Sequence, residues 1–209
     1  LWDLHCLAKL EAWKEKYGKQ LEEWLHTLAE IEAMNSLSGY QFANPDFVTP
    51  QPVWEHTIHV EALEVGHPLI HADKRVTNDF RFEGLGKTYL ITGSNMSGKS
   101  TFLRTIGTNW VLAQMGAVVC AKQFVFTPAL IFTSMRTQDS LEENTSSFYA
   151  ELKRLKQLID LANVSRTLPI FYMLDEILKG TNSADRHLGA QALIQQLHPL
   201  TASGIVSTH

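Results

Sequence analysis

Residues 91–105 read ITGSNMSGKSTFLRT, two glycines, a lysine and paired hydroxyls set behind an apolar start. Gly93 to Ser100 satisfy G-x-x-x-x-G-K-[ST]; the apolar run YLI (89–91) precedes them, and Phe102, Leu103, Ile106 and Trp110 follow at helical spacing. A strand, a glycine-rich bend and a helix in that order are the setting of a phosphate-binding loop. The glycines permit backbone angles closed to other residues, so consecutive N–H groups can converge on phosphate oxygens at the positive end of the helix. On this pattern the nucleotide-binding residues are Gly93, Ser94, Asn95, Met96, Ser97, Gly98, Lys99, Ser100 and Thr101. Lys99 reaches the β- and γ-phosphates and the Ser100 hydroxyl ligates Mg²⁺. The plainer reading of the same letters is a glycine turn capping a helix.

Such a loop calls for a second half, a hydrophobic strand ending in acid, and Ile170-Phe171-Tyr172-Met173-Leu174-Asp175-Glu176 supplies it. Asp175 is placed to hold the magnesium's water shell, and Glu176 to polarise the water that attacks the γ-phosphate. Without the upstream loop, the pair would read as a turn or a helix cap. His209 follows GIVST at the carboxyl edge of another candidate strand, where ligands bind in open α/β sheets, and is the candidate sensor of the γ-phosphate. His5, His26, His59, His71 and His198 read as ordinary histidines.

Outward from these motifs, short apolar runs alternate with helix-length segments. The runs are YLI (89–91), AVVCA (117–121), ALIF (129–132), IFYML (170–174) and GIV (204–206). Strands buried on both faces and separated by helices predict an α/β fold with a mostly parallel sheet flanked by helices, and the Gly93–Ser100 motif makes the expected kind a P-loop NTPase. Upstream, Leu7, Leu10, Trp13 and Tyr17, then Leu21, Trp24, Leu25, Leu28 and Ile31, keep a 3.6-residue period and predict helices over 1–17 and 19–38. Gly39, Pro45, Pro50 and Pro52 make 39–57 a connector. The domains are therefore expected at 1–40, a short helical segment, and 41–209, the α/β domain.

Composition narrows the class. Eighteen basic against 22 acidic residues give a net charge of -4, so no blanket attraction to nucleic acid is visible. Two cysteines, Cys6 and Cys120, stand far apart with no Cys-x-x-Cys, which suggests neither zinc nor a disulfide framework and fits a cytoplasmic setting. No run of about 18 apolar residues exists. The start carries neither a signal peptide nor an initiator Met, and GIVSTH stops as a strand should turn, so the sequence reads as a piece of a longer protein, truncated at its C-terminus.

Taken together, these motifs resemble the MutS-type ATPases. TGSNMSGKST is similar to the family's TGPNMGGKST, with Ser94 for proline and Ser97 for glycine. SMRTQDSLEENTSSFYAEL (134–152) resembles the family's D-D/S-L…S-x-F…E segment through Asp139, Ser140, Leu141, Ser146, Phe148 and Glu151, and LDEILKGTN (174–182) resembles LDEIGRGTS. LAEIEAMNSLSGY (28–40) resembles the helix leading from the family's lever into its ATPase core, and GHP (66–68) with Asn78 matches the stretch before the loop.

The resemblance implies a Mg²⁺-dependent ATPase whose domains face each other in a homodimer of the full-length protein, each completing the other's site. Ser146 is the implied in-trans contact to the γ-phosphate and Ser147 the fallback; both also read as helix-capping hydroxyls. Thr181 to Asp185 are implied near the partner's site and Val76 near the adenine. Residues 1–40 become the end of a lever, ATP and Mg²⁺ the cofactors, and DNA is contacted through regions outside this chain. Asn144 stands where the family usually has glycine, and Leu178-Lys179 replaces Gly-Arg, which touches the dimer contact. The mismatch-reading domain and its Phe-x-Glu wedge are not in this sequence. The expected function is ATP-driven dimer closure coupled to recognition of mismatched or branched DNA in repair. An ABC- or SMC-type ATPase would carry an LSGGQ-like glycine pair, which TSSFYAE lacks. A nucleotide-gated scaffold and a small-molecule kinase, the latter without a lid-sized segment, are the other readings.

Overall fold

Residues 1–43 hold no proline and keep a helical apolar period, and in the computed structural model they form α1 (Trp2–Tyr17), a 3-10 turn (Gly18–Gln20) and α2 (Leu21–Ala43). The structure describes residues 1–94, 97–135, 147–164, 167–178, 182–200 and 202–208, with the side chains of Ser147, Ser183, Ala184, Arg186 and His187 outside that description. The chain divides into two compact units, Leu1–Pro45 and Asp46–His209.

In the first unit no helical residue is buried. Trp13, Tyr17 and Trp24 cluster around the 3-10 turn, with the Trp13 and Trp24 ring centres 6.5 Å apart. The connector expected from 39 begins later, because α2 runs through Gly39 to Ala43. One glycine costs a helix only about 1 kcal/mol, too little to end it. Pro45 does end it, by driving the preceding residue out of the helical region; Asn44 sits at φ -131°. No described helix is long and apolar enough to cross a membrane.

The described residues of the second unit form two four-stranded sheets. The parallel sheet has β4 (Thr88–Thr92), β6 (Leu130–Ser134), β7 (Ile170–Asp175) and β8 (Ala202–Thr208) in the order β4-β8-β7-β6. Four of the five apolar runs are these strands. The other sheet, in the order β1-β5-β2-β3, joins β1 (Gln51–Pro52), β2 (Ile58–Val65), β3 (Asn78–Gly84) and β5 (Gln123–Phe126). In it β2 is antiparallel to both β3 and β5. A mostly parallel architecture therefore describes one sheet of the two.

The run AVVCA is not a strand. Among the described residues it makes one bridge, Val119 to Val48, and several of its other backbone groups are bonded outside any ladder. The Cys120 N–H donates to Asn109 Oδ1 at 2.8 Å, the Cys120 carbonyl accepts from Gly66, and Ala117 N–H donates to Leu112. Asn109, fully buried, also donates to the carbonyls of Gly66 and Thr105 and so ties its helix to the end of β2.

Among the described residues, the parallel sheet is covered by α3 (Lys99–Gln114), α4 (Ser147–Val164) and α5 (Ser183–Leu197). Strand alternation divides the β7 side chains between two cores. Phe171 and Met173 join Leu103, Ile106 and Trp110 of α3 and the inner faces of β2 and β3. Ile170, Tyr172 and Leu174 join Leu155 and Leu158 of α4 and Leu193 and Leu197 of α5. Burial on both faces is why β7 is apolar throughout until Asp175.

Candidate functional site

The chain leaves β4 at Thr92 into Gly93 and Ser94, and enters α3 at Lys99 from Ser97 and Gly98. Gly98 is the N-cap, at φ +89°, a left-handed conformation that glycine adopts without steric cost. Gly93 serves differently: its φ is not positive, but a Cβ there would come within 3.1 Å of Ser97 Oγ. No side chain caps α3 and no acidic residue lies in its first turn, so that turn's N–H groups face no competing anion of the helix itself. Lys99 is 8% exposed; its ammonium donates to the carbonyls of Gly93 at 2.6 Å and Ser94 at 3.0 Å. Ser100 is half-buried, and Ser94, Ser97 and Thr101 are exposed.

The acidic pair lies on the same sheet edge. In register, Thr92 of β4 pairs with Thr208 of β8, and Ser207 of β8 pairs with Asp175 of β7. The loop strand and the acid strand are thus separated by one strand, about 10 Å at 4.8 Å per strand. Asp175 is in phase with Phe171 and Met173, whose side chains pack on the α3 side, so its carboxylate projects to the face on which the loop opens into its helix.

Asp175 is buried and Oδ1 accepts the Ser207 hydroxyl at 2.5 Å. Glu176, half-buried, sits at φ +51°, and its N–H reaches both Ser207 Oγ at 3.1 Å and the Ser207 carbonyl at 3.2 Å. Two residues on, Leu178 is also left-handed, at φ +59°, and its N–H donates to Glu151 Oε1 of α4 at 2.5 Å. Positive φ at two non-glycine residues beside an acid is the local strain that clusters at working sites.

The sequence-predicted residues Gly93, Ser94, Ser97, Gly98, Lys99, Ser100 and Thr101 therefore share an edge with Asp175 and Glu176. No hydrogen bond among the described residues joins Lys99 to either acid. Val76 is 77% exposed, two residues before β3. Phe80 of β3 meets Phe102 of α3 edge-on at 5.8 Å. Asn95, Met96, Ser146, Thr181 and His209 lie outside the described residues, and Ser147 is the first residue of α4. Near the expected partner-facing segment, the Asn182 side chain caps α5 by accepting from the Asp185 N–H at 2.9 Å.

Sequence reasoning missed Ser207 as the residue that touches both acids. Period-two alternation from Ile205 assigns its face of the sheet, but its pairing with Asp175 is set by register between strands. It also passed over His67 of the GHP stretch, whose Nδ1 accepts from Leu69 N–H. Burial first, then the guanidinium groups of Arg104 and Arg75, hold His67 below its ordinary pKa.

Ser100 and Asp175 are hard oxygen donors, the chemistry Mg²⁺ selects. No group of three or more His, Cys, Asp or Glu that could hold a metal by itself occurs among the described residues. Magnesium sites that complete their shell with substrate phosphates need no such cage.

The fold and the edge define an α/β domain with a parallel sheet whose carboxyl side carries a Gly-Lys-Ser loop and an acidic pair. The chain belongs to the MutS family: residues 89–209, more than half of it, match the family model of MutS domain V. It is 30% identical over 206 residues to the DNA mismatch repair protein MutS of Streptococcus agalactiae serotype Ia, covering 96% of this chain and 23% of that protein. To the DNA mismatch repair protein MutS of Staphylococcus aureus strain JH9 it is 31% identical over 206 residues, covering 93% of this chain and 22% of that protein. The chain spans about a quarter of the length of these relatives.

Proposed function

We propose that this chain is the ATP-binding and ATP-hydrolysing P-loop domain of a MutS-like protein, with residues 1–40 the end of its lever and 41–209 the ATPase domain. The observation that carries the reading is the placement of Asp175 on the α3 face of the sheet, one strand removed from the Gly93–Ser100 loop.

In this reading, amides of the loop and of the first turn of α3 bind the phosphates, and Lys99 exchanges its two carbonyl partners for phosphate oxygens. Ser100 and Asp175 would hold Mg²⁺, which when bound neutralises charge on the β- and γ-oxygens. Glu176, set by its left-handed backbone, orients the attacking water and takes its proton. His209 senses the γ-phosphate, Val76 lies by the adenine, and Ser146 or Ser147 completes the site of a second subunit in a homodimer. Closure and reopening of that dimer pass through the lever to DNA-contacting parts outside this chain. The relatives' printed role in DNA mismatch repair supports DNA as the final target, and the net charge of -4 is in keeping with DNA contacts lying elsewhere.

The test is ATP turnover and nucleotide affinity of the full-length protein beside its Lys99→Ala and Glu176→Gln variants. Lys99→Ala is expected to lose nucleotide binding. Glu176→Gln is expected to bind ATP while turning over about 10²- to 10⁴-fold more slowly. Undiminished affinity in Lys99→Ala contradicts the assignment, and no turnover in wild type or Glu176→Gln points to a nucleotide-gated scaffold.

A further inference from the structure

We infer that Ser207 is a positioning residue for both acids of the site, acting through one hydroxyl and one carbonyl on the strand that separates loop from acids; the inference rests on the ATPase reading above. A serine hydroxyl has one proton to give and lone pairs to receive with. Here the proton goes to Asp175 Oδ1 at 2.5 Å, and Oγ accepts the Glu176 N–H at 3.1 Å. The Ser207 carbonyl accepts from that same N–H at 3.2 Å.

Each contact constrains one acid. Donation to a carboxylate is a short, charge-assisted bond that fixes rotation about the Asp175 side chain. Oδ2 accepts no hydrogen bond from a described residue. For Glu176, the doubly accepted N–H holds a left-handed residue against a return to ordinary backbone angles. Ser207 is 1% exposed and Asp175 7%, so no abundant water stands ready to replace the lost hydroxyl. Its strand is also paired to β4, whose end opens into the phosphate loop. Ser207 therefore ties the orientation of both acids to the strand next to the loop.

The test compares Ser207→Thr with Ser207→Val in the full-length protein. The two side chains are close in shape and differ in the hydroxyl, so packing changes are shared and hydrogen bonding is not. Two quantities are measured: the Mg²⁺ concentration that half-saturates the tightening of ATP binding, read with a fluorescent ATP analogue, and the separate kcat and KM of turnover. Ser207→Thr is expected to stay near wild type. Ser207→Val is expected to need about 10- to 100-fold more Mg²⁺ and to lose kcat by a similar factor, with Mg²⁺-free nucleotide affinity unchanged. Ser207→Ala, smaller than the native side chain, serves in place of the valine if that variant fails to fold, with the same expectation. Equal behaviour of the hydroxyl-bearing and hydroxyl-free variants overturns the assignment, as does a loss confined to KM. If Lys99→Ala leaves nucleotide affinity intact, the underlying ATPase reading falls instead, and the two failures are distinguishable.

Discussion

The Tyr172 hydroxyl of β7 hydrogen-bonds the Thr88 hydroxyl of β4, although β8 lies between their strands. Thr88, Gly204 and Tyr172 stand in one row across the sheet, and the tyrosine ring spans the middle strand because position 204 has no side chain. A Cβ at Gly204 would lie 2.1 Å from the Tyr172 carbonyl oxygen and 2.4 Å from its ring. Gly204→Ala is therefore expected to destabilise the domain by about 1–3 kcal/mol or more, lowering the thermal midpoint by about 2–4 °C per kcal/mol. Tyr172→Phe, which keeps the ring and loses one bond, should cost only about 1 kcal/mol. Thermal unfolding of the two variants checks the order; an alanine tolerated as well as the phenylalanine would contradict the close approach.

Glu151 is the residue through which α4 reaches the turn behind Glu176. Its carboxylate accepts the N–H of left-handed Leu178, and a hydrogen bond to a charged group contributes about 1.5–3 kcal/mol. Glu151→Ala is expected to speed amide exchange at Leu178 by about tenfold or more, while exchange in the middle of β7 stays slow. Glu151→Gln, which keeps an acceptor oxygen, should fall between. Unchanged exchange at Leu178 in the alanine variant would show that the bond does not hold the turn.

The parts of this architecture legible in the sequence were those where one residue type must recur. β7 is buried on both faces and so reads as an unbroken apolar run, and α3 shows Leu103, Ile106 and Trp110 at helical spacing because all three are fully buried. The second sheet was not legible in the same terms. In β2 and β3 only alternate residues face the core, Ile58, Val60 and Ala62 opposite Phe80 and Phe82, and the intervening His59, Glu61, Asp79 and Arg81 dilute the signal. AVVCA misled because burial alone looks like a strand; a side chain 11 residues away, Asn109, takes the N–H that a ladder would use. Gly93, Lys99, Asp175 and Glu176 announced themselves by motif. Ser207 did not, since its role is a matter of register between strands about 30 residues apart, which no local spacing encodes.

His67 supplies a pH dependence. Burial and the neighbouring Arg104 and Arg75 disfavour its protonated form, and Nδ1 already accepts from Leu69, a bond that a proton on that nitrogen would break. Its folded pKa is thus below the ordinary 6.5 of the unfolded chain. A depressed pKa contributes stability that is fully present above the unfolded value and is lost as pH falls through the folded one. Acidification from pH 6.5 downward should therefore weaken the fold through this residue. Arg104→Gln is expected to move the imidazole titration, followed by NMR, back toward the ordinary value; a midpoint above 6.5 in the wild-type protein would contradict the assignment.

Gly98 and Gly116 form a matched pair that separates backbone strain from phosphate binding. Both are left-handed, at φ +89° and +82°, and a Cβ at either meets nothing within 4 Å. Substitution by alanine should thus cost each about 1–2 kcal/mol through the backbone alone. Gly98 is the N-cap of α3, whose first-turn amides are assigned to the phosphates, whereas Gly116 lies just beyond the other end of the same helix. The two alanine variants are expected to lose similar thermal stability, and only Gly98→Ala should weaken binding of an ATP analogue, measured well below either midpoint. Equal affinity in the two would mean that the left-handed bend at Gly98 serves helix entry and not the ligand.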